Sequence, residues 1–236
     1  MFDLKGARVL VVGGTSGIGL GAARMAAQLG ANVAVASRSA DKVRAAKELI
    51  GRGASGHALD TRDEAAIEKL FANEAPFDHV VVSASETKSL PVKELPLDVA
   101  YANMNSKFWG AYRIARAARI NEKGSLTLIS GYLAIRPRKG SAIQGAINAA
   151  VEGLARGLAL EFAPVRVNCV SPGLVNTPLL DRFGERKEAM LAEAKKTIPA
   201  GIVGEAEHIA RQIIACMTNP FMTGSTIYLD GGGAIA

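Results

Sequence analysis

An apolar strand candidate, Arg8–Val12, runs directly into Gly13-Gly14-Thr15-Ser16-Gly17-Ile18-Gly19, and a helical pattern opens at the last of these glycines. No other stretch restricts the fold as much. A chain that passes from strand to helix within so few residues needs glycine where it bends, and Gly13, Gly17 and Gly19 stand at that bend. Bare backbone and the free N–H groups of a helix start suit a pyrophosphate. Thr15 and Ser16 add hydroxyl donors. Glycine-rich turns that bind nothing are common, but this one lies between a first strand and a first helix, where a dinucleotide is held.

The rest of the chain continues the alternation. Short β-branched runs at Arg8–Val12, Asn32–Ala36, Val80–Val82, Leu126–Ile129, Val165–Val170 and Thr226–Leu229 read as strands. Several are apolar on consecutive residues, as expected for strands covered on both faces. Helical patterns occupy Gly19–Leu29, Ala40–Gly51, Glu64–Phe71, Val99–Ile120, Ser141–Phe162, Glu185–Lys196 and Ala206–Thr218. This order predicts an α/β fold: a doubly wound parallel sheet of Rossmann type in a three-layer α/β/α sandwich. No repeat, linker or low-complexity tract interrupts the 236 residues, so residues 1–236 are expected to form a single dinucleotide-binding domain.

The end of the second strand should choose the cofactor. An acid there hydrogen-bonds the adenosine ribose of NAD, whereas a basic group accommodates a 2′-phosphate. The chain reads Ala36-Ser37-Arg38-Ser39, with no acid and with a planar guanidinium suited to phosphate. NADP(H) is therefore expected over NAD(H), with Ser37 and Arg38 at its 2′-phosphate.

These features resemble the short-chain dehydrogenase/reductase family, of the single-domain type. The glycine turn is similar to that family's Thr-Gly-x-x-x-Gly-x-Gly motif, with Val12 in place of Thr. Leu59-Asp60-Thr61 resembles the segment that lies against the adenine. Ser83-Ala84-Ser85, after Val82, stands where the family has the end of Asn-Asn-Ala-Gly. Ser171-Pro172-Gly173-Leu174-Val175-Asn176-Thr177 is similar to the Pro-Gly-x-x-x-Thr stretch beside the nicotinamide. Thr223-Gly224 and Leu229-Asp230-Gly231-Gly232 resemble the C-terminal strand signature. The resemblance implies cofactor contacts at Gly13, Thr15, Ser16, Gly17, Ile18, Gly19, Ser37, Arg38, Asp60, Thr61, Ser83, Ala84, Ser85, Pro172, Gly173, Val175 and Thr177.

It fails where the chemistry should be. The family transfers hydride with an Asn, a Ser and a Tyr-x-x-x-Lys pair. Here Gln144-Gly145-Ala146-Ile147-Asn148 occupies the Tyr-x-x-x-Lys position, and no Tyr-x-x-x-Lys occurs in the chain. Gly131 falls at the Ser position. Ser130 is one residue early, and such a slip turns a side chain to the other face of a strand. Asn105 matches the family Asn. Gln144 cannot exchange a proton near neutral pH, and Asn148 carries no charge to depress a phenol's pKa. Loss of a positioned general acid costs roughly 10²–10⁴-fold. Tyr132, beside Gly131, is the substitute acid the sequence offers.

Other features add less. Arg136, Arg138 and Lys139 lie in the loop that borders the family's substrate site and suit a small anionic ligand; a solvated basic loop is the competing explanation. Residues 178–200 fall where the family carries a mobile substrate lid. Trp109, Phe108 and Tyr112 lie on a helix that resembles those of the family's four-helix dimer interface, so a homo-oligomer, dimer or tetramer, is expected. His57, His79 and His208 lack metal-ligand spacing, and no metal is expected. The net charge of +6 comes without a run of basic residues, which argues against nucleic acid. No uninterrupted apolar run reaches membrane-spanning length and no secretory signal is visible. Two cysteines, Cys169 and Cys216, fit a reducing compartment, the cytoplasm. Two functions follow: an NADP(H)-dependent oxidoreductase acting on a carbonyl or alcohol with weak or non-standard chemistry, or a non-catalytic NADP(H)-binding sensor or partner subunit.

Overall fold

A computed structural model describes residues 3–51 and 53–236. Met1, at the start of the segment read for a secretory signal, and Phe2 lie outside the described residues. The chain runs β1 (Arg8–Val12), α1 (Gly17–Gln28), β2 (Asn32–Ser37), α2 (Ala40–Ile50), β3 (Ser55–Ala58), α3 (Glu64–Asn73) and β4 (Phe77–Val82). It continues with α4 (Leu97–Met104), a π-helical turn (Asn105–Trp109), α5 (Gly110–Ala117) and β5 (Ile120–Ile129). After these come α6 (Ala142–Glu161), β6 (Arg166–Pro172), β7 (Val175–Asn176), α7 (Arg186–Thr197), β8 (Gly204–Glu205), α8 (Ala206–Thr218) and β9 (Thr226–Leu229).

Seven strands form one sheet in the order β3-β2-β1-β4-β5-β6-β9, and every neighbouring pair is parallel. Strand residues alternate between two cores, as the period of two requires. Val9 and Val11 of β1 face a core built with α1, α2 and α8. Leu10 and Val12 face the opposite one, built with α3, α5 and α6. Helices therefore cover both faces, giving the three-layer Rossmann-type sandwich that the alternation predicts. Strand order reverses between β1 and β4, and ligands of such sheets bind outside the carboxyl ends at that point.

Two details differ from the sequence reading and matter for the site. Residues Val99–Ile120 do not form one helix. The π-helical turn interrupts it at Asn105–Trp109, and it ends at Ala117 because Ile120 pairs in register with Phe77 of β4. A π-turn adds one residue to a helical turn and rotates the side chains that follow. The edge strand β3 is also absent from that reading. Ser55-Gly56-His57-Ala58 has no β-branched residue and is a strand because it pairs with β2. None of the described helices is long and apolar enough to cross a membrane.

Candidate functional site

A cleft of about 400 Å³ opens along the carboxyl ends of the strands. The turn after β1 forms one wall. Gly13 has φ +86°, and a Cβ there would lie 2.5 Å from the Ala84 backbone nitrogen, so only glycine lets these loops meet. Ser16 caps α1 without a side-chain hydrogen bond, and the first turn holds no acid. The helix start thus keeps its N–H groups for an anion. Gly13, Thr15, Ser16, Gly17 and Ile18 all line the cleft. Gly19 does not line it. A Cβ at Gly19 would lie 2.2 Å from the Gly13 carbonyl oxygen, so this glycine lets the helix pack against the turn rather than approach a ligand.

The strand-end residues divide the cleft into two chemistries. At one end, Ser37, Arg38, Lys42, Asp60, Thr61 and Arg62 converge. The Asp60 carboxylate is held below its usual range by the Arg62 side chain, whose Nη2 lies 2.6 Å away. Its charge is thereby matched and does not oppose an anion. Arg38 pairs across the cleft mouth with Glu86, Nη1 to Oε2 2.6 Å, and both side chains stay about half exposed. Ser83, Ala84 and Ser85 line the middle, opposite Pro172, Gly173, Val175 and Thr177.

At the other end lie the positions where catalytic residues were expected. Gly131, Tyr132, Gln144 and Asn148 all line the cleft. Ser130 also lines the cleft, and its hydroxyl donates to Glu152 at 2.9 Å. The amide of Gln144 is engaged at both ends: Nε2 donates to Thr87 Oγ1 at 3.2 Å, and Oε1 accepts from the Ser89 hydroxyl. Gln144 therefore ties the loop after β4 to α6. Asn148 is buried and donates from Nδ2 to the Gly131 carbonyl at 3.1 Å. A Cβ at Gly131 would lie 2.8 Å from that same Nδ2, so a side chain at 131 would have to push the Asn148 amide aside.

Asn105 does not reach the cleft. Its Oδ1 accepts from Arg113 Nη2 at 2.7 Å, and it is not among the lining residues. The π-turn brings Ser106 and Lys107 to the cleft in its place. Lys107 Nζ donates to Asn148 Oδ1 and to the Ser130 carbonyl, both at 2.7 Å. Burial pushes its ammonium down to about 8, opposed by Cys169 and Glu152 nearby. Lys107 is a cleft-lining residue that sequence reasoning missed. Its signal was a lone lysine between Ser106 and the aromatic pair Phe108-Trp109, two positions past the asparagine singled out.

Beneath the floor, Glu152 is buried and accepts three hydroxyls: Ser130 at 2.9 Å, Ser171 at 3.1 Å and Tyr228 at 2.8 Å. Burial, with the bond to Glu152, pushes the Tyr228 phenol up to about 12. The basic loop splits by role. Arg138 lines the cleft, whereas Arg136 donates to the Ala236 carbonyl and Lys139 stays outside. From the segment after β7, Pro178, Leu179, Leu180 and Arg182 complete the wall. That segment packs on a small core of its own around Leu180, Leu191 and Val203. The acids of the cleft, Asp60 and Glu86, both lie at the Arg38 end.

A family model described as enoyl-(acyl carrier protein) reductase matches residues 12–233. The chain is 33% identical over 253 residues to a short-chain dehydrogenase/reductase, ucsE, of an Acremonium species, covering 97% of this chain and 95% of the other. A solved structure of a short chain dehydrogenase/reductase family protein superposes with a TM-score of 0.90 at 32% identity, covering 99% of this chain and all of that one. A small-chain dehydrogenase in complex with NADPH is similar at 32% identity, with a TM-score of 0.85 over 98% of this chain and 100% of the other.

Proposed function

The chain belongs to the short-chain dehydrogenase/reductase family of oxidoreductases, and from that premise we propose that it binds NADP(H) and exchanges hydride with a carbonyl or alcohol by non-standard proton chemistry. One observation carries this reading. A single cleft joins the glycine turn and the Arg38 end to the floor formed by Gly131 and Asn148. The cradle fits a dinucleotide: Gly13 and Gly17 hold positive φ where the backbone must come close, and α1 offers uncapped N–H groups. Arg38, with Lys42 and Arg62 beside it, supports a 2′-phosphate and hence NADP(H) over NAD(H). The similar solved structure that holds NADPH adds support. When bound, the cofactor supplies or accepts the hydride.

The chain's own residues orient and enclose. The α1 start and Thr15 and Ser16 hold phosphates, while Pro172, Gly173, Val175 and Thr177 form the wall beside the nicotinamide. Arg138 and Arg182 line the substrate end with no acid among the described lining residues there, which supports an anionic small molecule as substrate. The segment 178–200 serves as its lid.

A second reading, a non-catalytic NADP(H)-binding sensor or partner subunit, draws on the Gln144 amide, which is engaged with Thr87 and Ser89 where the family has a proton-active phenol. One experiment separates the two: calorimetric titration with NADPH and NADH, followed by a turnover screen over carbonyl and alcohol panels that include carboxylate-bearing members. Binding of NADPH with turnover supports the oxidoreductase. Binding without turnover supports the sensor, and no binding refutes both.

A further inference from the structure

Lys107 is half-buried at the floor of the cleft, and neither its position nor its partners are explained by the cofactor site. Its Nζ reaches across from the π-turn to the two elements that carry the altered catalytic positions. One N–H goes to the Ser130 carbonyl of β5 and one to Asn148 Oδ1 of α6. No other acceptor among the described residues takes the third. The charged or titratable groups that act on it are Glu152 from α6 and Cys169 from β6; Tyr228 of β9 bears on it only through Glu152. Glu152 does not contact Nζ, because its oxygens are taken by Ser130, Ser171 and Tyr228. The ammonium thus meets two neutral acceptors, lines the cleft, and sits beside Gly131 and Asn148, which stand where the family has a serine and a lysine.

We propose that Lys107 is the proton donor of this site, supplying from Nζ the proton that the amide of Gln144 cannot give to a substrate carbonyl oxygen. The proposal rests on the NADP(H)-dependent reading above. In the reductive direction Lys107 protonates the carbonyl oxygen as the carbonyl carbon accepts a hydride from the reduced nicotinamide. The C=O π pair becomes the new O–H bond, and the Nζ–H pair stays on nitrogen as the amine. The carbonyl is reduced to an alcohol, the nicotinamide is oxidised, and a proton from water restores the ammonium. A partly buried lysine with a lowered pKa is a competent acid near neutral pH, where an unperturbed one releases its proton too reluctantly. The sign follows: reduction needs the ammonium, so it holds below a pH of about 8 and falls above it, while alcohol oxidation needs the amine and rises.

The test uses the full chain with NADPH and the carbonyl panel across neutral to alkaline pH, for wild type, Lys107→Met, Lys107→Arg and Tyr132→Phe. Wild-type kcat/KM should break near pH 8. Lys107→Met and Lys107→Arg should each lose roughly 10²–10⁴-fold and lose the break, with NADPH affinity by calorimetry within about tenfold of wild type. Arginine keeps the charge but cannot titrate in this range, so it covers the case in which the methionine variant fails to fold. In the cofactor-free protein, NMR of lysine labelled at Cε should show one titration near pH 8 that vanishes in Lys107→Arg. The proposal is overturned if either Lys107 variant keeps turnover within about threefold, if the pH break survives without Lys107, or if Tyr132→Phe alone abolishes turnover. It is also overturned if wild type binds NADPH but reduces nothing, an outcome that leaves the cofactor reading standing. Absence of NADPH binding would instead refute the cofactor reading.

Discussion

Replacing Arg38 with Asp should invert the cofactor preference, and the structure bounds the size of the change. Arg38 is 2.6 Å from Glu86, with side chains 53% and 57% exposed. An ion pair that open to water contributes only about 0–1 kcal/mol. A guanidinium on a phosphate forms charge-assisted hydrogen bonds that contribute about 1.5–3 kcal/mol. Exchanging Glu86 for a 2′-phosphate therefore leaves a net gain of about 0.5–3 kcal/mol, or roughly 2- to 150-fold in NADPH affinity. NADH has no 2′-phosphate and gains nothing. Arg38→Asp removes the gain and adds like-charge repulsion, so NADPH should weaken by at least about tenfold while NADH stays within about threefold. Glu86→Gln should act oppositely, tightening NADPH by up to about fivefold. Calorimetric titration of both cofactors at low and high salt measures this, and added salt should narrow the preference as screening grows. Equal wild-type affinities for NADPH and NADH, or an equal loss of both in Arg38→Asp, would refute the reasoning.

Gly13→Ala must place a Cβ at φ +86° and 2.5 Å from the Ala84 nitrogen. Strain and overpacking together should cost about 2–4 kcal/mol, lowering Tm by about 5–15 °C and abolishing NADPH binding; a melting curve like wild type's would contradict the close approach. His79 is buried against Ser125 at 2.9 Å, and burial pushes its imidazole down to about 4. The unfolded chain then binds more protons between pH 6.5 and 4, so stability present above pH 6.5 is lost as pH falls. The loss reaches about 3 kcal/mol, and denaturant melts of His79→Gln should show a shallower decline over that interval. Gly131→Ser, Gln144→Tyr and Asn148→Lys together would set a second ammonium beside Lys107 Nζ and a Cβ against residue 148. That triple variant should turn over poorly, and adding Lys107→Met should raise its carbonyl reduction by at least about tenfold; equal rates with and without the fourth change would count against the shared position.

The sheet was legible wherever side chains alone define a strand. Val9–Val12 and Val80–Val82 are buried on both faces and read as apolar runs because each residue must meet one of two cores. The edge strand β3 was not legible, since Ser55-Gly56-His57-Ala58 owes its conformation to hydrogen bonds from β2. The first half of β5 escaped for a related reason. Asn121, Glu122 and Lys123 are exposed, and the strand is lengthened by the pairing of Ile120 with Phe77 across an irregular register. The cleft was more legible than the strands around it, because phosphate-turn chemistry requires particular residue types at fixed offsets. Gly19 shows the limit of that logic. Its spacing marked the motif, but its close contact is with the Gly13 carbonyl and not with the cleft.

The coupling within the cleft floor was illegible for a physical reason. A reading by position treats Gly131 and Asn148 as independent. In three dimensions they are coupled. Gly131 has no Cβ where Asn148 Nδ2 needs the space, and Asn148 turns its Oδ1 to Lys107 because its Nδ2 is held by the Gly131 carbonyl. Ser130 joins the two charges, its carbonyl on the Lys107 ammonium and its hydroxyl on the buried Glu152 carboxylate. Removing the Lys107 charge would leave Glu152 buried with less compensation, which is costly. Substitutions across 107, 130, 131, 148 and 152 should therefore be strongly non-additive.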